Sequence, residues 1–233
     1  MSPTGLHYFP VTWPYLLLLA LFYALVIATI TRFASAGMGI SDRAVLAILL
    51  LSLAGSYVNI PIATLPEREI STAAVVSFYG IPWVVPVIRE WPATVVAINL
   101  GGAVIPVLVS LYLLFKWRLY LLSVVGVAAV AVLTHLLANP VRGVGIALPV
   151  FVPPVVTAAV ALGLSRTHAG PLAYISGSLG TLIGADLLNL DKIRGIGAPI
   201  ASIGGAGTFD GIFITGLLAV TYASVVRYRQ RAR

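Results

Sequence analysis

Cysteine is absent, so neither disulfides nor thiolate chemistry is open to this chain. Charge is scarce: charged residues make up 9% of 233 positions, and only seven are acidic, against 14 Lys and Arg. Three histidines stand far apart without a His-x-x-Glu-His pattern, which argues against a zinc site. No metal or cofactor is expected. There is no low-complexity segment and no polar stretch long enough for a second soluble domain, so residues 1–233 read as one domain.

What is present is apolar. Sixty percent of residues are hydrophobic and the mean hydropathy is +1.04, more than a soluble core requires. The expected fold class is an all-α integral membrane protein with the lipid bilayer as its surroundings. A spanning helix takes about 20 apolar residues. Seven such stretches are legible, at 13–33, 44–62, 94–115, 118–138, 144–164, 171–190 and 204–226. The first is read as a span rather than a cleaved signal, although Ala34-Ser35-Ala36 is similar to a cleavage site.

The net charge of +7 is a topology signal here, and no nucleic-acid partner is expected. With seven spans, nine basic residues fall on the C-terminal side: Arg32, Arg43, Lys116, Arg118, Arg166 and four tail arginines. Five fall on the other side. The positive-inside rule predicts a multi-pass protein of the cell membrane with a cytoplasmic C-terminus. Residues 64–93 carry charges, four prolines and β-formers around Gly80, and are expected to form a short external β-hairpin or flap.

Two aspartates stand out because an ionisable group at membrane depth is costly and therefore a candidate functional site. Asp186 lies in Gly184-Ala185-Asp186-Leu187-Leu188-Asn189, and Asp210 in Gly207-Thr208-Phe209-Asp210-Gly211. They sit on what reads as an antiparallel helix pair, 171–226, at depths that match within a turn. Asn59, Asn99, His135, Asn189, Gly207 and Thr208 fall in the same outer layer and are candidate substrate-binding or supporting residues. The inner halves of the helices read as almost purely Leu, Val, Ile and Ala. Prolines and glycines concentrate in the outer layer, which suggests freed backbone groups beside water.

Four strings carry a resemblance: Gly55-Ser56-Tyr57-Val58-Asn59-Ile60-Pro61, Asn99-Leu100-Gly101-Gly102-Ala103-Val104-Ile105-Pro106, Gly184-Ala185-Asp186-Leu187-Leu188-Asn189-Leu190, and Ser202-Ile203-Gly204-Gly205-Ala206-Gly207-Thr208-Phe209-Asp210-Gly211-Ile212-Phe213. Together they resemble an uncharacterised prokaryotic multi-pass membrane family, a domain of unknown function, from about residue 40 to 224. The last string is also similar to the Gly-x-Gly-Asp motif of intramembrane aspartyl proteases of the presenilin and prepilin peptidase type. Phe209 stands where the second glycine belongs, and the Pro-Ala-Leu element has at most a remnant in Pro199-Ile200-Ala201. That similarity implies a hydrolase that cleaves a transmembrane peptide substrate, with Asp186 and Asp210 as the catalytic dyad. Close carboxyls cannot both ionise, so one would act as base and the other as acid. The alternative is an ion- or proton-coupled transporter that uses the same aspartates as coupling sites. A scaffold without chemistry is the third reading.

Overall fold

The computed structural model describes residues 13–65, 68–78, 81–91, 93–141, 145–149, 151–193, 199–205 and 211–231. Helix α1 spans Trp13–Met38 and carries no charge before Arg32. It ends at Gly39, whose φ of 68° lets its N–H reach back to the Ser35 carbonyl at 2.8 Å. Helix α2, Asp42–Gly55, starts where the Ser41 hydroxyl accepts the Ala44 N–H at 3.2 Å.

The second expected span then departs from expectation. The chain leaves the helix at Gly55, and β1, Asn59–Leu65, is extended. Pro61 fits neither a helix interior nor a central strand, and β1 is an edge strand with a register shift beside it. Strands β2, Arg68–Phe78, and β3, Ile81–Trp91, pair antiparallel, so the expected hairpin is present, with strands of 11 residues each. Its turn at Gly80 lies outside the described residues. Strand β4, Thr94–Asn99, occupies the start of the third expected span. The run Val95-Val96-Ala97-Ile98 is apolar and β-branched at all but Ala97, which suits a buried strand as well as a membrane helix.

A five-residue π-helical segment, Leu100–Val104, leads into α3, Ile105–Trp117. Arg118, with φ 52°, reverses the chain into α4, Tyr120–Leu137. Strands β5, Asn139–Val141, and β6, Gly145–Ala147, form a small hairpin before α5, Val152–Leu164. Helix α6, Ala169–Thr181, continues through a second π-helical segment, Leu182–Asp186, and a 3-10 turn, Leu187–Asn189, into the short α7, Leu190–Ile193. Strand β7, Ile200–Ile203, precedes α8, Gly211–Arg231.

The all-α expectation is therefore corrected. β1, β4 and β7 form a sheet in the order β1-β4-β7, antiparallel for the first pair and parallel for the second. Among the described residues, four helical stretches are long and apolar enough to cross a membrane: Tyr15–Met38, Leu100–Trp117, Tyr120–Leu137 and Ala169–Lys192. Large apolar side chains face outward on them, as Leu17, Phe22, Leu121 and Leu136 do. Such a surface suits hydrocarbon rather than water.

Helix α6 is the hub. It is buried along nearly its whole length and packs against α1, α3, α4, α5 and α8. The helix halves expected to be almost purely aliphatic are not, a second correction. Ser52, Ser110, Ser123, Thr157, Ser176, Ser178 and Thr181 are all buried. Two of these hydroxyls fill space left by glycines on neighbouring helices. Ser176 of α6 takes the place of a side chain at Gly126 of α4, and Ser178 does the same at Gly216 of α8. Thr134 of α4 faces Gly184, and Ser224 of α8 faces Gly37 of α1. Small residues let helices approach where no hydrophobic effect drives them together.

The two ends of the bundle differ. Trp117 meets the His168 ring at a tilt of 57° with centroids 5.3 Å apart, and its Nε1 donates to the Met38 carbonyl at 3.1 Å. Gly170 packs on Gly37. These contacts gather the end of α1, the α3–α4 turn and the α5–α6 turn at one end, with Arg32, Lys116, Arg118 and Arg166 close by in sequence. The three-stranded sheet and Asp186 lie at the other end.

Candidate functional site

The site is built where three chain breaks meet. Asn59 opens β1, Asn99 closes β4, and the two are cross-strand partners in the sheet. Ile203, the last residue of β7, pairs with Ile98 beside them, and Gly204 follows. Two of the six supporting residues named from the sequence, Asn59 and Asn99, are thus in direct contact.

Asn99 is fully buried and its amide is fully used. Its Nδ2 donates to the Ser56 carbonyl at 2.7 Å and to Asn59 Oδ1 at 3.0 Å. Its Oδ1 accepts the Gly102 N–H at 2.8 Å, capping the first π-helical segment. The Ser202 hydroxyl lies 2.6 Å from Asn59 Oδ1 and 2.7 Å from the Gly205 carbonyl, and its one proton serves one of them at a time. Ser202 had no signal in the sequence beyond its place before the Gly204-Gly205 pair.

Asp186 closes the second π-helical segment, and its Oδ2 accepts the Gly204 N–H at 2.7 Å. Gly204 and Gly205 have φ of 94° and 90°, which favours glycine at both. Gly204 also lies against Gly102 and Ala103, where a side chain would meet the Ala103 backbone nitrogen at 2.6 Å. The glycine pair thus joins the carboxyl of Asp186 to the Asn59, Asn99 and Ser202 network. π-Helical segments of this kind recur at functional sites, and here two of them flank one carboxyl.

Asn189 serves its own helix. Its Nδ2 donates to the carbonyls of Gly184 and Ala185 at 2.8 and 2.9 Å, which holds the π-helical geometry that precedes Asp186. Its Oδ1 is buried with no hydrogen-bond partner among the described residues. His135 follows Thr134, which packs on Gly184, but among the described residues it forms no hydrogen bond to Asp186, and its Nδ1 is buried without a partner. Gly207, Thr208 and Asp210 lie outside the described residues. No group of three or more metal-ligating side chains exists among the described residues.

The Asn99 amide carries a direct prediction. Asn99→Leu leaves the Gly102 N–H and the Ser56 carbonyl buried without their partner, at a cost of about 3 kcal/mol. Melting of the purified protein should fall by roughly 6–12 °C. An unchanged melting temperature would show that the amide network contributes nothing.

No curated protein and no solved structure matches the chain. A family model does: residues 53–222 match the one described as Protein of unknown function (DUF1614). That stretch takes in Asn59, Asn99, Asp186, Asp210 and all of the hydroxyl-bearing core described above but Ser52 and Ser224, and the chain belongs to this family.

Proposed function

We propose that the protein is an intramembrane aspartyl protease that cleaves peptide bonds of membrane-embedded substrates with Asp186 and Asp210. The observation that carries this reading is the hydrogen bond from Gly204 to Asp186. It ties the carboxyl to the end of β7, which is an edge strand of the sheet. An extended peptide added alongside β7 would bring its backbone past that carboxyl, and strand addition is a common mode of peptide capture. Asp210 follows Gly204 by six positions and immediately precedes α8.

In this reading one ionised carboxyl takes a proton from water, and the water attacks the scissile carbonyl. The other carboxyl, protonated, donates to the carbonyl oxygen. The two titrate as a pair, and neither role belongs to one residue. We further read seven crossings with a cytoplasmic C-terminus: two are completed by the short helices α2 and α5 joined to extended chain, and one is α8. The basic end of the bundle then faces inward. The test is cleavage of a transmembrane reporter peptide by the reconstituted protein. Retained cleavage in either Asp186→Asn or Asp210→Asn overturns the proposal.

A second reading, an ion- or proton-coupled carrier, is favoured by the two π-helical segments. They sit where helices break beside a carboxyl, and interrupted helices supply carbonyls for cations. Ion-driven uptake into liposomes that is lost with Asp186→Asn, without any cleavage, supports it over the protease.

A further inference from the structure

Between α2 and α3, at the basic end, runs a groove of about 470 Å³ that the candidate site does not use. Its mouth is formed by Ser41 and Lys116, and its walls by Ala44 and Ile48 of α2 and by Leu108 and Tyr112 of α3. Lys116 and Leu108 are eight residues apart, so the groove runs about 12 Å from a charged mouth to an apolar floor.

The mouth is polar and positively charged. Lys116 Nζ donates to the Gly39 carbonyl at 2.6 Å and lies 5.5 and 5.6 Å from the ring centroids of Tyr112 and Trp117. No carboxylate among the described residues forms an ion pair with it. Asp42, which follows Ser41 of the groove mouth, accepts a hydrogen bond from the Ser35 hydroxyl. Lys116 keeps two N–H donors free of that carbonyl. Ser41 accepts the Ala44 N–H and keeps its own hydroxyl proton to donate. Arg43 follows two positions after Ser41.

The walls are apolar and open. Leu108 is 60% exposed and Tyr112 54%. In a bilayer such a groove must be filled, because a void forfeits the contacts of its lining. A filler with an apolar chain suits the floor, and a filler with a negative head suits the mouth. Basic pockets between transmembrane helices take anionic headgroups in this way.

We propose that this groove binds one anionic phospholipid. Its phosphodiester sits between Lys116 and the Ser41 hydroxyl, and an acyl chain lies along Ala44, Ile48 and Leu108. The inference is independent of the function proposed above, since no residue of the groove belongs to the Asp186 site.

Native mass spectrometry of the full chain in detergent, titrated with phosphatidylglycerol or phosphatidylcholine, tests it. The expected result is at least about tenfold tighter binding of phosphatidylglycerol, the effect of one charge-assisted contact of about 1.4 kcal/mol. Lys116→Gln should bring the two lipids to equal affinity without changing the melting temperature, because the side chain is exposed. Ala44→Phe should fill the groove and weaken both. Equal binding of the two lipids by the parent protein overturns the proposal, as does a preference that survives Lys116→Gln. Glycerol phosphate binding as tightly as phosphatidylglycerol would make the site one for a free anion. A change of oligomeric state with Ala44→Phe and no change in lipid binding would make the occupant a second copy of this chain. Either result also overturns it.

Discussion

Asp186→Asn is expected to reduce cleavage of a transmembrane reporter by at least about 100-fold, the lower range of what a positioned acid or base contributes. The variant should remain folded, and this makes the prediction sharp. The asparagine side chain keeps an oxygen that can still accept the Gly204 N–H, which in the parent protein lies 2.7 Å from Oδ2. The shape of the side chain is unchanged. What disappears is the titratable proton and the charge. Asp186→Ala is different, because it also strands the Gly204 amide and loosens the glycine pair. The informative result is therefore lost activity in the asparagine variant at an unchanged melting temperature. Unchanged melting with full cleavage leaves the hydrogen bond to Gly204 as the whole role of Asp186.

Gly101→Ala should have the largest effect on stability, about 3 kcal/mol or more. A methyl group at Gly101 would run into the Ser52 carbonyl oxygen, the Ser56 amide nitrogen and the Gly55 carbonyl carbon, all of them backbone atoms. Backbone cannot rotate out of the way as a side chain can. On the facing side, a methyl group at Gly55 would meet the Gly101 nitrogen at 2.9 Å. Helix α2 and the first π-helical segment thus touch backbone to backbone through two glycines. Forcing them apart moves Asn99 away from the Ser56 carbonyl, so the damage reaches the candidate site. Gly163→Ala in α5 is the control. Nothing lies within 4 Å of a methyl group there, and the change should stabilise the helix by roughly 0.5–1 kcal/mol. Melting curves of the two variants should move in opposite directions. A small shift for Gly101→Ala would mean that the crossing yields easily.

The apolar runs were legible because length and composition suffice for a lipid-facing helix. Residues 118–138 were expected as a span, and α4 covers Tyr120–Leu137. The departures at 59–65 and 94–99 were hidden by the same property. In a continuously apolar run the hydrophobic period carries no information, and Val95-Val96-Ala97-Ile98 reads equally as lipid-exposed helix or buried strand. The polar layer was visible in part. Asn59 and Asn99 were expected at one depth, and they meet in the sheet. Their partner Ser202 was missed because serine is common in loops and its role depends on a contact spanning 143 positions. The link between Asp186 and Gly204 is a backbone contact, which a side-chain pattern does not encode. The buried hydroxyls of α6 were overlooked for a related reason. Ser176 and Ser178 matter through the glycines opposite them, on helices that the sequence does not pair.

The central place of α6 has a consequence for the order of synthesis. Helices α1, α3, α4 and α5 all pack against it, yet it follows them in the chain. While the ribosome is still making the first 165 residues, these helices lack the surface that will join them. Domains fold as units once they have emerged, and here the first parts to emerge are rim without axle. Their exposed glycines and hydroxyls must be held apart by lipid, by one another or by an insertion factor until α6 threads between them. A chain stopped after α5 should therefore remain open to proteolysis in its turns, and one stopped after α7 should gain protection at the α3–α4 and α5–α6 ends together.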